Sequence, residues 1–226
     1  MSRSQSWVFA VFTAFAASVM VASSAAAQRF ELGATLGYRV AVRHQFASYA
    51  YSNFGATTGW QHLTGFHEGD PELGLHATLW RRPRLGLQLV GTFWRTLRTV
   101  EQEQVPLVFA TSDRVTVVSL AVRMVVRLGT ATRRHLDLAL GPQFTHFGGS
   151  GYDSPPTAFL ALRHRMVVGA SGGIAYAYPV RPRLYLRLAL DAAAYRAPLV
   201  AAPDSSTTKT RIQLDVAPSV SVVLPL

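Results

Sequence analysis

Nine ionisable side chains in this sequence stand at alternating positions inside otherwise apolar segments: Arg39, Arg123, Arg127 and Arg187, with Glu31, Glu72, Asp137, Asp191 and Asp215. Four cations against five anions is close to neutral. Enclosed charges persist only when paired, because desolvation costs several kcal/mol per ion. The chemistry open to this set is therefore ion pairing, as a structural plug or as the lining of a polar conduit. Arg127 and Asp137 lie symmetrically about the stretch 129–135 and can pair across it. Arg39 and Asp215 are placed to meet where a last strand closes on a first.

A second set, Arg95, Arg98, Arg163, Arg165 and Arg196, clusters near segment ends. Guanidinium groups bind phosphate bidentately, so these five are read as lipid-phosphate contacts. Catalysis has less support. A nucleophile and its base must come within hydrogen-bond reach. His146 and His164 lie near Ser119 in register, but Ser119 has the opposite phase to the histidines. No P-loop or HExxH motif is present, and no catalytic residue is assigned. His62, His67, Glu68 and Asp70 include metal-ligand types at unspecific spacing and are read as ordinary polar loop residues. No metal or cofactor is expected. Phe46, Tyr49, Tyr51, Phe54, Trp60 and Phe66, from the same region, favour contact with a ligand or partner if exposed.

The elements that must position these groups follow from composition. The chain has 226 residues, 49% hydrophobic and 15% charged. Soluble domains carry about 25% charged residues, so much of this surface is expected to avoid water. After residue 27 no run reaches the ~18 apolar residues of a membrane helix. Hydrophobicity is instead spread with period two, and only helices and closed barrels satisfy every backbone group in a bilayer. Formal charge is +10, nearly all from arginine, with Lys209 the single lysine. The basic residues are scattered in twos and threes at segment ends, which argues against nucleic acid and for lipid headgroups. Absence of cysteine excludes disulfides and thiolate metal sites.

Eight segments alternate. Their apolar phases begin with Phe30 to Val40, Leu73 to Leu79, Leu85 to Phe93 and Val118 to Leu128. The series continues with Leu136 to Phe144, Met166 to Tyr176, Leu184 to Ala192 and Ile212 to Leu224. Each is near the ~9–11 residues a tilted strand needs to cross a bilayer. Connections at 81–84, 129–135 and 179–183 are short; those at 44–70, 99–114, 148–157 and 197–210 are longer. Short turns at one end and long loops at the other are a transmembrane-barrel signature, which puts both termini in the periplasm. The short turns are basic: Arg81, Arg82, Arg84, Arg133, Arg134, Arg181 and Arg183. Tyr38, Phe93 and Phe144 fall at loop ends, and Phe30, Tyr176 and Tyr178 at turn ends, all in the apolar phase, as two interfacial girdles require. The opposite phase is mostly Gly, Ala, Ser and Thr. Such residues suit a narrow barrel interior and make a poor soluble exterior, so the leucines are expected outside. Pro142 and Pro218 predict local irregularities, since proline donates no ladder bond.

The first segment has Arg3, an uncharged apolar stretch from Trp7 to Val21, and Ala25-Ala26-Ala27. It is read as a signal peptide, 1–27, ahead of a barrel domain, 28–226.

The chain resembles the small outer-membrane barrel families typified by the OmpA transmembrane domain, OmpX and OmpW. The resemblance spans Gln28–Leu226 and rests on three features: the alternation of Leu184–Leu190, the Leu140-Gly141-Pro142-Gln143-Phe144 segment, and the stripe Val220, Val222, Leu224, Leu226. It departs at Leu226, where those families usually end in an aromatic residue read by the assembly machinery. It implies an eight-stranded antiparallel up-and-down transmembrane β-barrel in the Gram-negative outer membrane. The implied partners are outer-membrane lipids, lipopolysaccharide and the assembly machinery, with no nucleic acid and a monomeric state. The expected role is structural or surface interaction with a plugged lumen; a passive channel for small or hydrophobic solutes is the alternative, and a lipid A-modifying enzyme a more distant one.

Overall fold

The computed structural model describes residues 29–41, 44–53, 57–67, 69–104, 107–130, 133–149, 161–162, 166–196, 200–201 and 212–226. In chain order the strands are β1 (Arg29–Ala41), β2 (His44–Asn53), β3 (Thr57–His67), β4 (Asp70–Arg82), β5 (Leu85–Gln104) and β6 (Leu107–Leu128). They continue with β7 (His135–Gly149), β8 (Ala161–Leu162), β9 (Met166–Arg181), β10 (Leu184–Arg196), β11 (Val200–Ala201) and β12 (Ile212–Pro225). Eight of them close a ring, β1-β4-β5-β6-β7-β9-β10-β12, with β12 returning to β1 and every neighbour antiparallel. All eight apolar segments of the sequence lie on ring strands. Closure leaves no strand edge in the wall, so backbone groups are satisfied without water.

Alternation assigns the faces. Leu36, Leu140 and Val168 are 61%, 68% and 63% exposed, while Gln88, Arg127, Gln143 and Asp215 on the other phase are each 2% or less. The leucines are outside and the polar residues inside, the reverse of a soluble barrel. The exposed apolar band runs around all eight strands, well beyond the roughly few hundred Å² that soluble monomers expose in one patch.

Two connections read from sequence as loops are strands. The stretch 44–70 holds the β2–β3 hairpin, and β3 pairs with the far part of β5, His62 opposite Glu103 through His67 opposite Arg98. The stretch 99–114 is also ladder, with β5 and β6 paired without a break from Leu85↔Val126 to Gln104↔Leu107. The reason is chemical. Arg98, Thr99, Glu101, Gln102 and Glu103 place polar groups on both phases, so no apolar period marks a strand whose backbone pairing nevertheless continues. In the last long connection, Val200 and Ala201 pair with β8.

Both prolines interrupt a ladder without shifting it. The β6–β7 pairing resumes in the same register on either side of Pro142, and the β1–β12 pairing does so around Pro218. Next to Pro142 the walls come close: a Cβ on Gly141 would overlap the Val122 carbonyl oxygen. At the opposite end of the β6–β7 hairpin, Gly129 turns the chain with φ +113°.

Candidate functional site

Alternation sends every second side chain of a ring strand into the lumen, and the nine charges named above all follow it. Eight of them form three groups. Near the turn end, Arg127 of β6 grips two carboxylates, each with two bonds. Its Nη1 and Nη2 donate to Glu31 Oε1 and Oε2 at 2.9 and 3.0 Å, and its Nε and Nη2 donate to Asp137 Oδ1 and Oδ2 at 2.9 and 3.1 Å. Asp137 is the hairpin neighbour opposite Arg127, whereas Glu31 reaches it across the barrel from β1. The guanidinium lies 3.8 Å over the Trp80 ring, and His135 Nε2 stands 3.7 Å from Asp137 Oδ2.

In the middle of the lumen, Arg123 pairs with Asp191 and donates from Nε to Ser171 Oγ at 3.0 Å. Toward the loop end, Arg39 pairs with Glu72, and its Nη1 lies 3.6 Å from Asp215. Asp215 also accepts from the Tyr195 hydroxyl at 2.7 Å and from Gln213 Nε2 at 3.0 Å. The Arg39 guanidinium sits 4.3 Å over Trp94. Of the four arginines, Arg187 alone has no carboxylate within 4.0 Å among the described residues, and its buried Nε has no hydrogen-bond partner. It borders a small polar cavity shared with Glu31, His76, Arg127, Asp137 and Tyr185.

Large side chains fill the space between these groups. Trp94, Val115, Val117, Phe147, Val167 and Tyr195 pack together at the loop end, and Trp80 packs with Val125 and Ala139 near the turn end. Sequence reading missed these interior aromatics. Parity was the available signal: Trp80 shares the phase of Glu72, and Trp94 that of Gln88 and Thr92. Shorter polar bridges complete the filling, Thr92 to Ser119 at 2.6 Å and Thr35 to Ser221 at 2.8 Å. Such an interior can hold charges and dipoles fixed. Within it the Thr35 hydroxyl lies 3.3 Å from His76 Nδ1 and 2.8 Å from Ser221 Oγ, a polar bridge in the wall with no carboxylate orienting the imidazole among the described residues.

Ser119 is buried and His146 exposed, on opposite faces of the wall; His164 lies outside the described residues. Gly169-Ala170-Ser171-Gly172-Gly173 has the spelling of a nucleophile elbow, which sequence reading overlooked. An elbow needs a strand-to-helix turn, and these residues run straight along β9, with the Ser171 hydroxyl held by Arg123. Among the arginines read as phosphate contacts, Arg95 and Arg196 are exposed on the outer face. Arg98 lies on β5 opposite Asp113, and Arg163 and Arg165 lie outside the described residues. His62 and His67 have opposite phases on β3, Asp70 opens β4, and Glu68 lies outside the described residues. Among the described residues no three His, Asp or Glu side chains gather as a metal site would require.

No family model matches the chain, and no curated protein sequence matches it. Solved structures do. The outer membrane protein OprG from Pseudomonas aeruginosa matches with a TM-score of 0.56 and 14% identity, covering 88% of this chain and 94% of that one. Neisserial surface protein A matches with a TM-score of 0.46 and 12% identity, over 86% and 96% of the two chains. The attachment invasion locus protein Ail of Yersinia pestis, solved with the heparin analogue sucrose octasulfate, gives 0.44 and 12% over 87% and 99%. The first of these likenesses supports the closed eight-stranded fold.

Proposed function

We propose that this chain is an outer-membrane β-barrel with a structural or surface-interaction role, whose lumen is a plug. The observation that carries the reading is the inverted surface: a continuous apolar band outside and a paired charge network inside. Water would not tolerate the first, and a conduit would not need the second tied at three levels. The likeness to OprG, described as an outer membrane protein, agrees with the location. In this reading residues 1–27 direct export and are removed, and 28–226 form the barrel. The assembly machinery inserts it as a monomer. Arg95, Arg98, Arg163, Arg165 and Arg196 engage lipopolysaccharide phosphates on the loop side.

Two measurements test this. Folded protein in outer-membrane fractions should migrate differently on a gel before and after boiling, as a closed barrel does. In a planar bilayer it should be electrically silent. Stable single-channel steps would refute the plug and favour passage of small solutes.

A further inference from the structure

We infer that the turn end of the barrel is a docking surface for anionic phospholipid headgroups. The inference rests on the membrane reading above and specifies the lipid class the barrel meets. All three short connections carry arginine: Arg81, Arg82 and Arg84 in the first, Arg133 and Arg134 in the second, Arg181 and Arg183 in the third. Arg29 opens β1 at the same end. All eight are exposed, and among the described residues none has a carboxylate within 4.0 Å. The acids nearest this end, Glu31 and Asp137, point into the lumen and are both held by Arg127. The face therefore bears eight arginine charges, against a formal +10 for the whole chain, with no exposed aspartate or glutamate side chain among the described residues there to offset them. Elsewhere the signs mix: lumen charges nearly cancel, and Glu101, Glu103 and Asp113 accompany Arg95, Arg98 and Arg114 toward the loop end.

A cationic face aimed at water would suit an acidic protein, but the position of these groups favours lipid. Apolar residues of the outer band run directly into the turns: Leu85 follows Arg84, Leu128 precedes Gly129, and Val180 precedes Arg181, all three exposed. The Arg134 guanidinium lies 4.8 Å over the ring of Tyr178, an exposed residue in the same phase as Ile174 and Tyr176. It therefore sits on the outside of the wall, at the rim of the band, and not over the lumen mouth. That is the depth at which tyrosines anchor and headgroup phosphates lie. Guanidinium binds phosphate through two parallel bonds where an ammonium offers a point charge, and every basic group on this face is arginine.

The test uses the full chain folded into phosphatidylcholine bilayers containing spin-labelled phosphatidylglycerol or spin-labelled phosphatidylcholine, read as the motionally restricted lipid fraction. The wild type should favour the anionic label by about fivefold, the effect of one basic contact near the surface. That preference should shrink in 1 M salt. R81Q/R84Q/R133Q/R134Q/R181Q/R183Q should bring the ratio near one, while R95Q/R196Q keeps most of it. If the sixfold variant does not fold, R84Q/R134Q/R183Q, one change per turn, should give an intermediate ratio. A restricted component without headgroup preference overturns this inference and leaves the membrane reading standing. The inference also fails if only the loop-end variant loses the preference, or if the folded protein lacks it but retains poly-glutamate. Absence of any restricted component refutes the membrane reading itself.

Discussion

Replacing Arg127 with methionine should be the most damaging single change in the lumen. Arg127 is 2% exposed and bonds two carboxylates, Glu31 at 13% and Asp137 at 5% exposure, through four hydrogen bonds between 2.9 and 3.1 Å. Methionine fills part of the stem's volume but removes the cation hydrogen-bonded to both enclosed anions. Breaking a buried pair from one side costs about 3–5 kcal/mol, because the remaining charge keeps its desolvation penalty. With a urea slope of roughly 1–3 kcal/mol/M, the unfolding midpoint should fall by about 1 M or more. The assay is urea unfolding of the folded barrel in lipid, followed by the loss of the unboiled gel band. A triple variant, R127M with E31Q and D137N, removes both remaining charges and should recover most of the loss, since exchanging a whole buried network for neutral groups is often close to neutral. A loss below about 1 kcal/mol for R127M would mean that Glu31 and Asp137 are solvated, a state the enclosed geometry forbids. A triple variant no better than R127M would refute the charge argument.

Other changes probe the wall. Leu140→Arg, on the outer face at 68% exposure, should destabilise the barrel by about 2–4 kcal/mol if that face meets hydrocarbon, and by no more than about 0.5 kcal/mol if it meets water; urea unfolding in lipid separates the two. Gly141→Ala should sharply lower folding yield, because the new Cβ overlaps the Val122 carbonyl, whereas Gly91→Ala, with open space around its Cβ, should stay within about 0.5 kcal/mol of wild type.

What the sequence alone determined is the period. Leu184, Leu186, Leu188 and Leu190 against Tyr185, Arg187 and Ala189 state a strand, its two faces and its burial partition, because side-chain direction in a strand is a local property. The small residues opposite the leucines were enough to say which face points out. Nearest-neighbour pairing was also legible where a short turn fixes register, as with Arg127 and Asp137. Polar strands were not: Thr99–Gln104 and most of β3 lack an apolar phase, so only the paired backbone reveals them. Tertiary structure alone decided the contacts across the lumen. Glu31 meets Arg127 from β1 to β6, and Asp191 meets Arg123 from β10 to β6, between strands that share no ladder. Closure also placed Trp80 and Trp94 beneath guanidinium groups and, among the described residues, left Arg187 without a carboxylate. These follow from strand tilt and stagger around a closed ring. That is a property of all eight strands together, which no single segment encodes.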